Sequence, residues 1–290
     1  MGFCRGRGVF GVATFGVLAD AMPVLACPHC GSGVELDEST VLCERGHAFD
    51  VARQGYVSLL PGSAGKIVGD SAPMVAARDA FFATGHYDRL MDAVADAVGP
   101  ARVVLDVGCG TGAYLARVLD GSPDAVGVGV DVSKFAARRA ARSHPRCAAV
   151  VADVWQHLPI RDESVDTVMS VFSPRNTAEL RRVIAPGGSL VVLTPTEHHL
   201  EELVRALTLI RVDENKSRRL GESMAGQFER VRRTAVTYTS SMSHSDIEAV
   251  VAMGPSARHG ESSDRADIIA ALPDPYPVTV SVIVAVYEPI

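Results

Sequence analysis

The sequence predicts an α/β protein, a mostly parallel sheet with helices on both faces and a small zinc-binding domain at the N-terminal end. Three observations carry this. From residue 103 to 193, valine-rich runs alternate with segments of helical periodicity, the rhythm of buried strands joined by crossover helices. A glycine-rich turn stands between the first such run and the first such helix. Ahead of both, three cysteines crowd into one short stretch at metal-ligand spacing.

A chain of 290 residues, 47% apolar with one Trp, has room for one ordinary domain and a smaller unit. No apolar run approaches the length that crosses a bilayer, so no membrane partner is expected. The net charge of −6 offers no global attraction for nucleic acid, so any such binding must rest on local basic surface. Arg5 and Arg7 precede an apolar run from Val9 to Ala19, and Ala19-Asp20-Ala21 imitates a leader cleavage site. Met22 follows at once, five residues before the first clustered cysteine. Residues 1–21 are therefore read as an extension outside the fold, and the cytoplasm as the compartment.

Residues 22–60 form the expected zinc module. Cys27-Pro28-His29-Cys30 and Cys43-Glu44-Arg45-Gly46-His47 give C-x2-C, twelve intervening residues, then C-x3-H. Two such knuckles close a tetrahedral site, and four protein ligands (Cys27, Cys30, Cys43, His47) mark a structural rather than a catalytic Zn2+. His29, wedged between the knuckle cysteines, is the spare, and Cys4, Cys109 and Cys147 are scattered without such spacing. Val34-Glu35-Leu36 and Val41-Leu42 are the strand-like pieces. Residues 61–73, rich in Pro, Gly, Ser and Ala, read as a linker, and 74–290 as the main domain.

In the main domain Met74 to Phe82 and Tyr87 to Val98 repeat apolar residues at helical spacing. Strands are expected at 103–107, 125–130, 148–151, 165–171 and 189–193, with helices at 112–119, 134–143 and 177–183. A helix over 197–209 follows, then strand candidates at 234–239 and 278–286 that could form an antiparallel edge.

Leu105-Asp106-Val107-Gly108-Cys109-Gly110-Thr111-Gly112 places its glycines at every second position behind an acid. Glycines there admit positive φ and close approach of backbone to a ligand. The dinucleotide pattern G-x-G-x-x-G is not met. Asp131 ends the second strand where a ribose diol would sit, and Ala152-Asp153-Val154 ends the third, the acid facing an adenine amino group and Val154 packing the ring. Any one of these acids alone would be a helix cap or solvated turn. The ordered set points to S-adenosylmethionine.

From this motif through Pro186-Gly187-Gly188 the chain resembles the Rossmann-like class I methyltransferases. Taken together, Cys27 to Cys30, Cys43 to Asp50, Gly55 to Leu60, Gly69-Asp70-Ser71, Ala77-Arg78, Gly85-His86-Tyr87, the glycine motif and Ser173-Pro174-Arg175-Asn176 resemble the 23S rRNA guanine-N1 methyltransferases, which include tylosin-resistance enzymes. That resemblance implies methyl transfer to N1 of a guanine in 23S rRNA, a homodimer, possession of macrolide resistance, and a cofactor pocket that adds Tyr87, Gly110, Thr111 and His199. A small-molecule acceptor is the competing reading.

Methylating guanine N1 requires loss of its proton, so charge developing on N1 and O6 must be stabilised. Arg175 or Asn176 could face that edge, with Pro174 stiffening their loop; alternatively Arg175 binds phosphate. No general base stands out. Basic residues between Arg205 and Arg233 (Arg205, Arg211, Lys216, Arg218, Arg219, Arg230, Arg232, Arg233), with Arg45, Arg53 and Lys66, are the expected RNA-backbone surface.

Overall fold

The computed structural model describes residues 12–61, 69–209, 221–254 and 263–290. Its first helix is α1 (Val12–Ala21). Strands β1 (Val34–Asp37), β2 (Thr40–Cys43) and β3 (Ala48–Asp50) form a small antiparallel sheet. Then come β4 (Tyr56–Ser58), α2 (Ala72–Ala83) and α3 (Asp88–Val98). The alternating core follows as β5 (Val103–Val107), α4 (Ala113–Gly121), β6 (Val126–Asp131), α5 (Lys134–Ala140), β7 (Cys147–Val151), β8 (Val165–Val171), α6 (Thr177–Val183) and β9 (Ile184–Pro195). The C-terminal part adds α7 (Glu201–Ala206), β10 (Phe228–Met242), α8 (His244–Ala252), α9 (Ser263–Ala270) and β11 (Tyr276–Pro289).

The large sheet has the order β10-β11-β9-β8-β5-β6-β7-β4. Strands β4 to β9 within it run parallel, and β11 turns antiparallel to β9 and to β10. The strand order reverses between β5 and β8, a switch point where the loops at the carboxyl ends part to leave a crevice. Alternate residues of each strand serve opposite faces. Leu105 and Val107 join one buried cluster, whereas Val104 joins the other.

Local chemistry sets the helix starts that matter for the site. Gly112, at φ +80°, turns the chain into α4. The Ser133 hydroxyl accepts from Ala136 N to cap α5. Ser71 does the same for α2, so the last residues of the expected linker belong to that helix.

Four expectations are corrected. The first concerns residues 1–21: Val12–Ala21 form α1, which packs against β6 and β7 with Leu18 and Ala21 fully buried. An apolar run that imitates a leader is equally suited to cover a sheet face. The chain just after it is tied down, since Ala26 N donates to Pro159 O (2.9 Å) and Arg161 N to Val24 O (2.9 Å). Second, residues 22–60 hold two further strands, β3 in the small sheet and β4 at the edge of the large one, too short to leave a periodicity. Third, the helix expected over 197–209 is confined to Glu201–Ala206; Leu200 ahead of it adopts φ +57°. Fourth, β9 begins at Ile184, ahead of the Pro186-Gly187-Gly188 segment.

Candidate functional site

In the ribbon, Cys27, Cys30, Cys43 and His47 present ligand atoms that all lie within 4.8 Å of one another. Cys30 Sγ and Cys43 Sγ are 3.8 Å apart, and His47 Nδ1 lies 3.4 Å from Cys27 Sγ and 3.3 Å from Cys43 Sγ. A zinc tetrahedron with ordinary bond lengths has S–S edges of about 3.8 Å and S–N edges of about 3.6 Å, so the four residues fit the ion. The Ser32 hydroxyl, 3.2 Å from Cys30 Sγ, holds that thiol down at about 6, while burial pushes Cys27 up to about 11. His29 stays outside the cluster, stacked on Phe49 with ring centres 5.8 Å apart.

The second site lies at the carboxyl ends of β5, β6, β7 and β8. After Asp106 the chain crosses the end of β6, where Gly108 N and Cys109 N both donate to Val130 O (2.8 and 3.0 Å). Gly108, Gly110 and Gly112 all have positive φ. A Cβ on Gly108 would stand 2.5 Å from Ser173 Cβ, and one on Gly110 would stand 3.2 Å from Arg78 Nη1. Ser173 therefore depends on Gly108 for its place, whereas the Arg78 guanidinium would need to give by only a few tenths of an ångström.

Asp131 is aimed by the main chain. Its Oδ2 accepts from Gly110 N (2.9 Å) and its Oδ1 from Ser133 N (2.8 Å), leaving further lone pairs on each oxygen. Asp106 is the opposite case: it is 1% exposed and its Oδ1 has no partner among the described residues. Burial, then the charge of Asp131, pushes its carboxyl up to about 8. Thr111 Oγ1 and Tyr114 OH are also buried without a partner. Three orphaned polar atoms around one glycine elbow are what a buried polar ligand would satisfy, and a cationic sulfonium compound suits the carboxylates.

Tyr87, buried at the start of α3, places its hydroxyl 3.0 Å from His199 Nε2. Asp153 lies two residues beyond β7 and accepts from Trp155 N (3.0 Å), with Val154 half-buried beside it. Of the residues expected to act on the acceptor, Pro174 is exposed and Asn176 donates from Nδ2 to Trp155 O (3.2 Å). Among the described residues, the half-buried Arg175 makes one long hydrogen bond, Nη1 to Ser170 Oγ at 3.5 Å, and burial lowers its pKa.

Sequence reasoning gave no role to Arg78, Ser133 or Ser173. Arg78 pairs with Asp70 (2.6 Å) and donates to Met253 O (3.0 Å), while Ser133 donates to Asp70 O (2.6 Å), so the Gly69-Asp70 segment is held over the end of β6. The signal for Ser133 was present as an Asp-x-Ser ahead of a helix; none existed for Ser173. The basic surface is only partly placed. Arg230, Arg232 and Arg233 are exposed on β10 and Arg45 and Arg53 on the ribbon, whereas Arg205 is paired with Glu201 (2.8 Å). Lys66, Arg211, Lys216, Arg218 and Arg219 lie outside the described residues.

Residues 104–188 match the family model described as Methyltransferase domain, and residues 25–65 match the zinc-ribbon model described as RlmA, N-terminal. The protein is thus a class I S-adenosylmethionine-dependent methyltransferase with a structural zinc ribbon on its N-terminal side. The chain is 46% identical over 272 residues, 92% of its length, to the 23S rRNA (guanine(748)-N(1))-methyltransferase of Streptomyces fradiae, of which the match covers 97%. It is also 43% identical over 293 residues to a Micromonospora griseorubida protein provisionally named a 23S rRNA (guanine-N(1)-)-methyltransferase, covering 93% of this chain and 99% of that one. It belongs to the 23S rRNA (guanine-N1-)-methyltransferase family. Among solved structures it is similar to a Thiobacillus denitrificans methyltransferase in complex with S-adenosyl-L-homocysteine (17% identity, TM-score 0.44, 69% of this chain and 90% of that one). No helix among the described residues is long and apolar enough to cross a membrane.

Proposed function

We propose that the protein transfers the methyl group of S-adenosylmethionine to N1 of a guanine in 23S rRNA. The observation that carries this is the pairing, in one chain, of the orphan-lined glycine elbow at the switch point with the zinc ribbon of this family, supported by near-full-length identity to the Streptomyces fradiae enzyme. The likeness to tylosin-resistance enzymes extends the proposal to macrolide resistance, a homodimer and action in the cytoplasm.

When bound, the cofactor supplies an electrophilic methyl group. In this reading the backbone at Gly108, Gly110, Thr111 and Gly112 cradles it. Asp131 accepts from its ribose hydroxyls, and Asp153 and Val154 hold the adenine. Asp106, Tyr87 and His199 line the end that carries its positive charge. On the acceptor side, guanine N1 becomes nucleophilic only as its proton leaves, placing negative charge on N1 and O6. Arg175, a half-buried cation without a carboxylate partner among the described residues, favours that charge through a low-dielectric path. Pro174 limits the freedom of its loop, and Asn176 ties that loop to the one after β7.

The experiment is transfer of labelled methyl to 23S rRNA from cells lacking this gene, with the modified base mapped as a primer-extension stop. Label on a single guanine, blocking its Watson–Crick edge, is the expected result. Label that goes only to a small-molecule acceptor would overturn the proposal.

A further inference from the structure

Among the described residues, the exposed aromatic side chains of Phe, Tyr and Trp are three: Phe135, Trp155 and Phe172. All three stand within four residues of the carboxyl end of a parallel strand, β6, β7 and β8 respectively. They therefore share the rim that surrounds the glycine elbow. The other Phe and Tyr rings among the described residues are buried or half-buried, as in the packed group of Phe81, Phe82, Tyr87 and Tyr114.

Each exposed ring is held by its backbone, with its side chain left open. Trp155 is 60% exposed, although its N–H donates to Asp153 Oδ1 and its carbonyl accepts from Asn176 Nδ2. Phe172 adopts φ +51°, a conformation that is costly for any residue with a Cβ. That turn sets its ring at the mouth of the site, 5.6 Å from the ring of His199 and 6.4 Å from that of Tyr87. Its neighbour Ser173 fills the space in front of Gly108. Phe135 has Lys134 Nζ 5.4 Å from its ring and borders a groove of about 510 Å³ shared with Tyr56, Ser58 and Val132. Lys134 and Arg138, one turn apart on α5, are exposed and make no ion pair among the described residues.

Aromatic faces interleaved with free cations are the chemistry that binds unpaired nucleotides, the rings stacking on bases and the cations following the phosphates. Guanine N1 lies on the Watson–Crick edge, so its methylation needs a base that is unpaired and turned out of its stack. We propose that Phe172 is the ring on which the target guanine stacks, and that Trp155 and Phe135 take neighbouring unpaired nucleotides of the same RNA loop. This rests on the reading of the site as an RNA N1-methyltransferase.

Trp155 is the sole tryptophan of the chain, so the test can be read in the unmodified protein. Titration with an RNA hairpin whose loop carries unpaired guanine should quench its emission, and a fully paired duplex of equal length should not. Phe172→Gly removes the ring and relaxes the φ strain. It should leave the melting temperature equal or higher and S-adenosylmethionine affinity unchanged, while kcat/KM for RNA falls between about fivefold and 150-fold, the span of one base–aromatic stack. Phe172→Tyr should recover most of that loss. Trp155→Leu, at a surface position, should weaken RNA binding within the same span.

Wild-type kcat/KM in Phe172→Gly, or tryptophan emission indifferent to an RNA that is being methylated, overturns the stacking rim and leaves the enzyme reading standing. Failure of the wild-type protein to methylate any 23S rRNA removes both.

Discussion

The hydroxyl of Tyr87 and Nε2 of His199 meet at 3.0 Å, joining the start of α3 to the turn after β9. On its other side His199 Nδ1 accepts from Ser281 N at 3.2 Å. A ring nitrogen that accepts an N–H carries no proton, so the network assigns the neutral ring's proton to Nε2. His199 then donates to the tyrosine oxygen, and the phenolic proton of Tyr87 is directed elsewhere. Burial also holds Tyr87 well above its usual pKa, so that proton stays in place.

Tyr87→Phe should therefore fold but remove the buried hydroxyl from the proposed cofactor end and break its hydrogen bond with His199 Nε2. We expect S-adenosylmethionine to bind about fivefold to tenfold more weakly, the size of one net hydrogen bond, measured by calorimetry. Unchanged affinity would remove Tyr87 from the cofactor site.

Asp106 makes the site sensitive to pH. With its carboxyl at about 8 in the folded protein, against about 4 in an unfolded chain, the folded state keeps a proton that the unfolded state loses. That contribution to stability is full below about pH 4 and disappears as pH rises through about 8. A cationic ligand prefers the ionised form, so cofactor affinity should rise from pH 6 to 8 with proton release on binding. Calorimetry in buffers of different ionisation enthalpy measures that release. Asp106→Asn should flatten the pH dependence, and a wild-type affinity indifferent to pH would contradict the role.

Zinc should be structural. Prolonged chelation, or Cys43→Ser, should lower the melting temperature and release one equivalent of zinc, because the four-ligand site closes the ribbon. Metal content by elemental analysis and thermal unfolding check it; a chain that unfolds at the same temperature without metal would count against a structural ion.

Leu18 tests the place of α1. Fully buried in the same cluster as Leu158 and Ile160, its change to Ala should cost about 2–4 kcal/mol in denaturant unfolding. A loss below about 0.5 kcal/mol, the range of surface substitutions, would mean that the helix does not contribute to the fold.

The alternating core was readable because β5 to β9 are long runs of valine and other apolar residues, and period and length survive any register. The ribbon's ligands were readable because tetrahedral zinc demands fixed ligand spacing. What was hidden has a common cause. β4 has three residues, too few for a pattern, and it acquires its meaning only by pairing with β7. The turn at Phe172 places a bulky ring where glycine would be expected, so no local preference announces it. The closeness of Ser173 to Gly108 joins residues 65 apart in the chain, set by the parallel pairing of β5 with β8. Residues 12–21 were read as lying outside the fold because apolar composition alone does not announce that a helix will cover a sheet face.

The pairing of β4 with β7, Val57 opposite Val150, bears on how this protein could be recombined with its relatives. A cut at residues 61–73 would donate the last strand of one parent's sheet along with its metal ribbon, grafting a foreign edge onto the recipient. A workable chimaera would exchange only the ribbon between Cys27 and Asp50 and keep the recipient's own α1, its Val24–Ala26 segment bonded to Pro159 and Arg161, and Tyr56–Ser58, so inheritance here follows the ladder of backbone hydrogen bonds rather than the gap in composition.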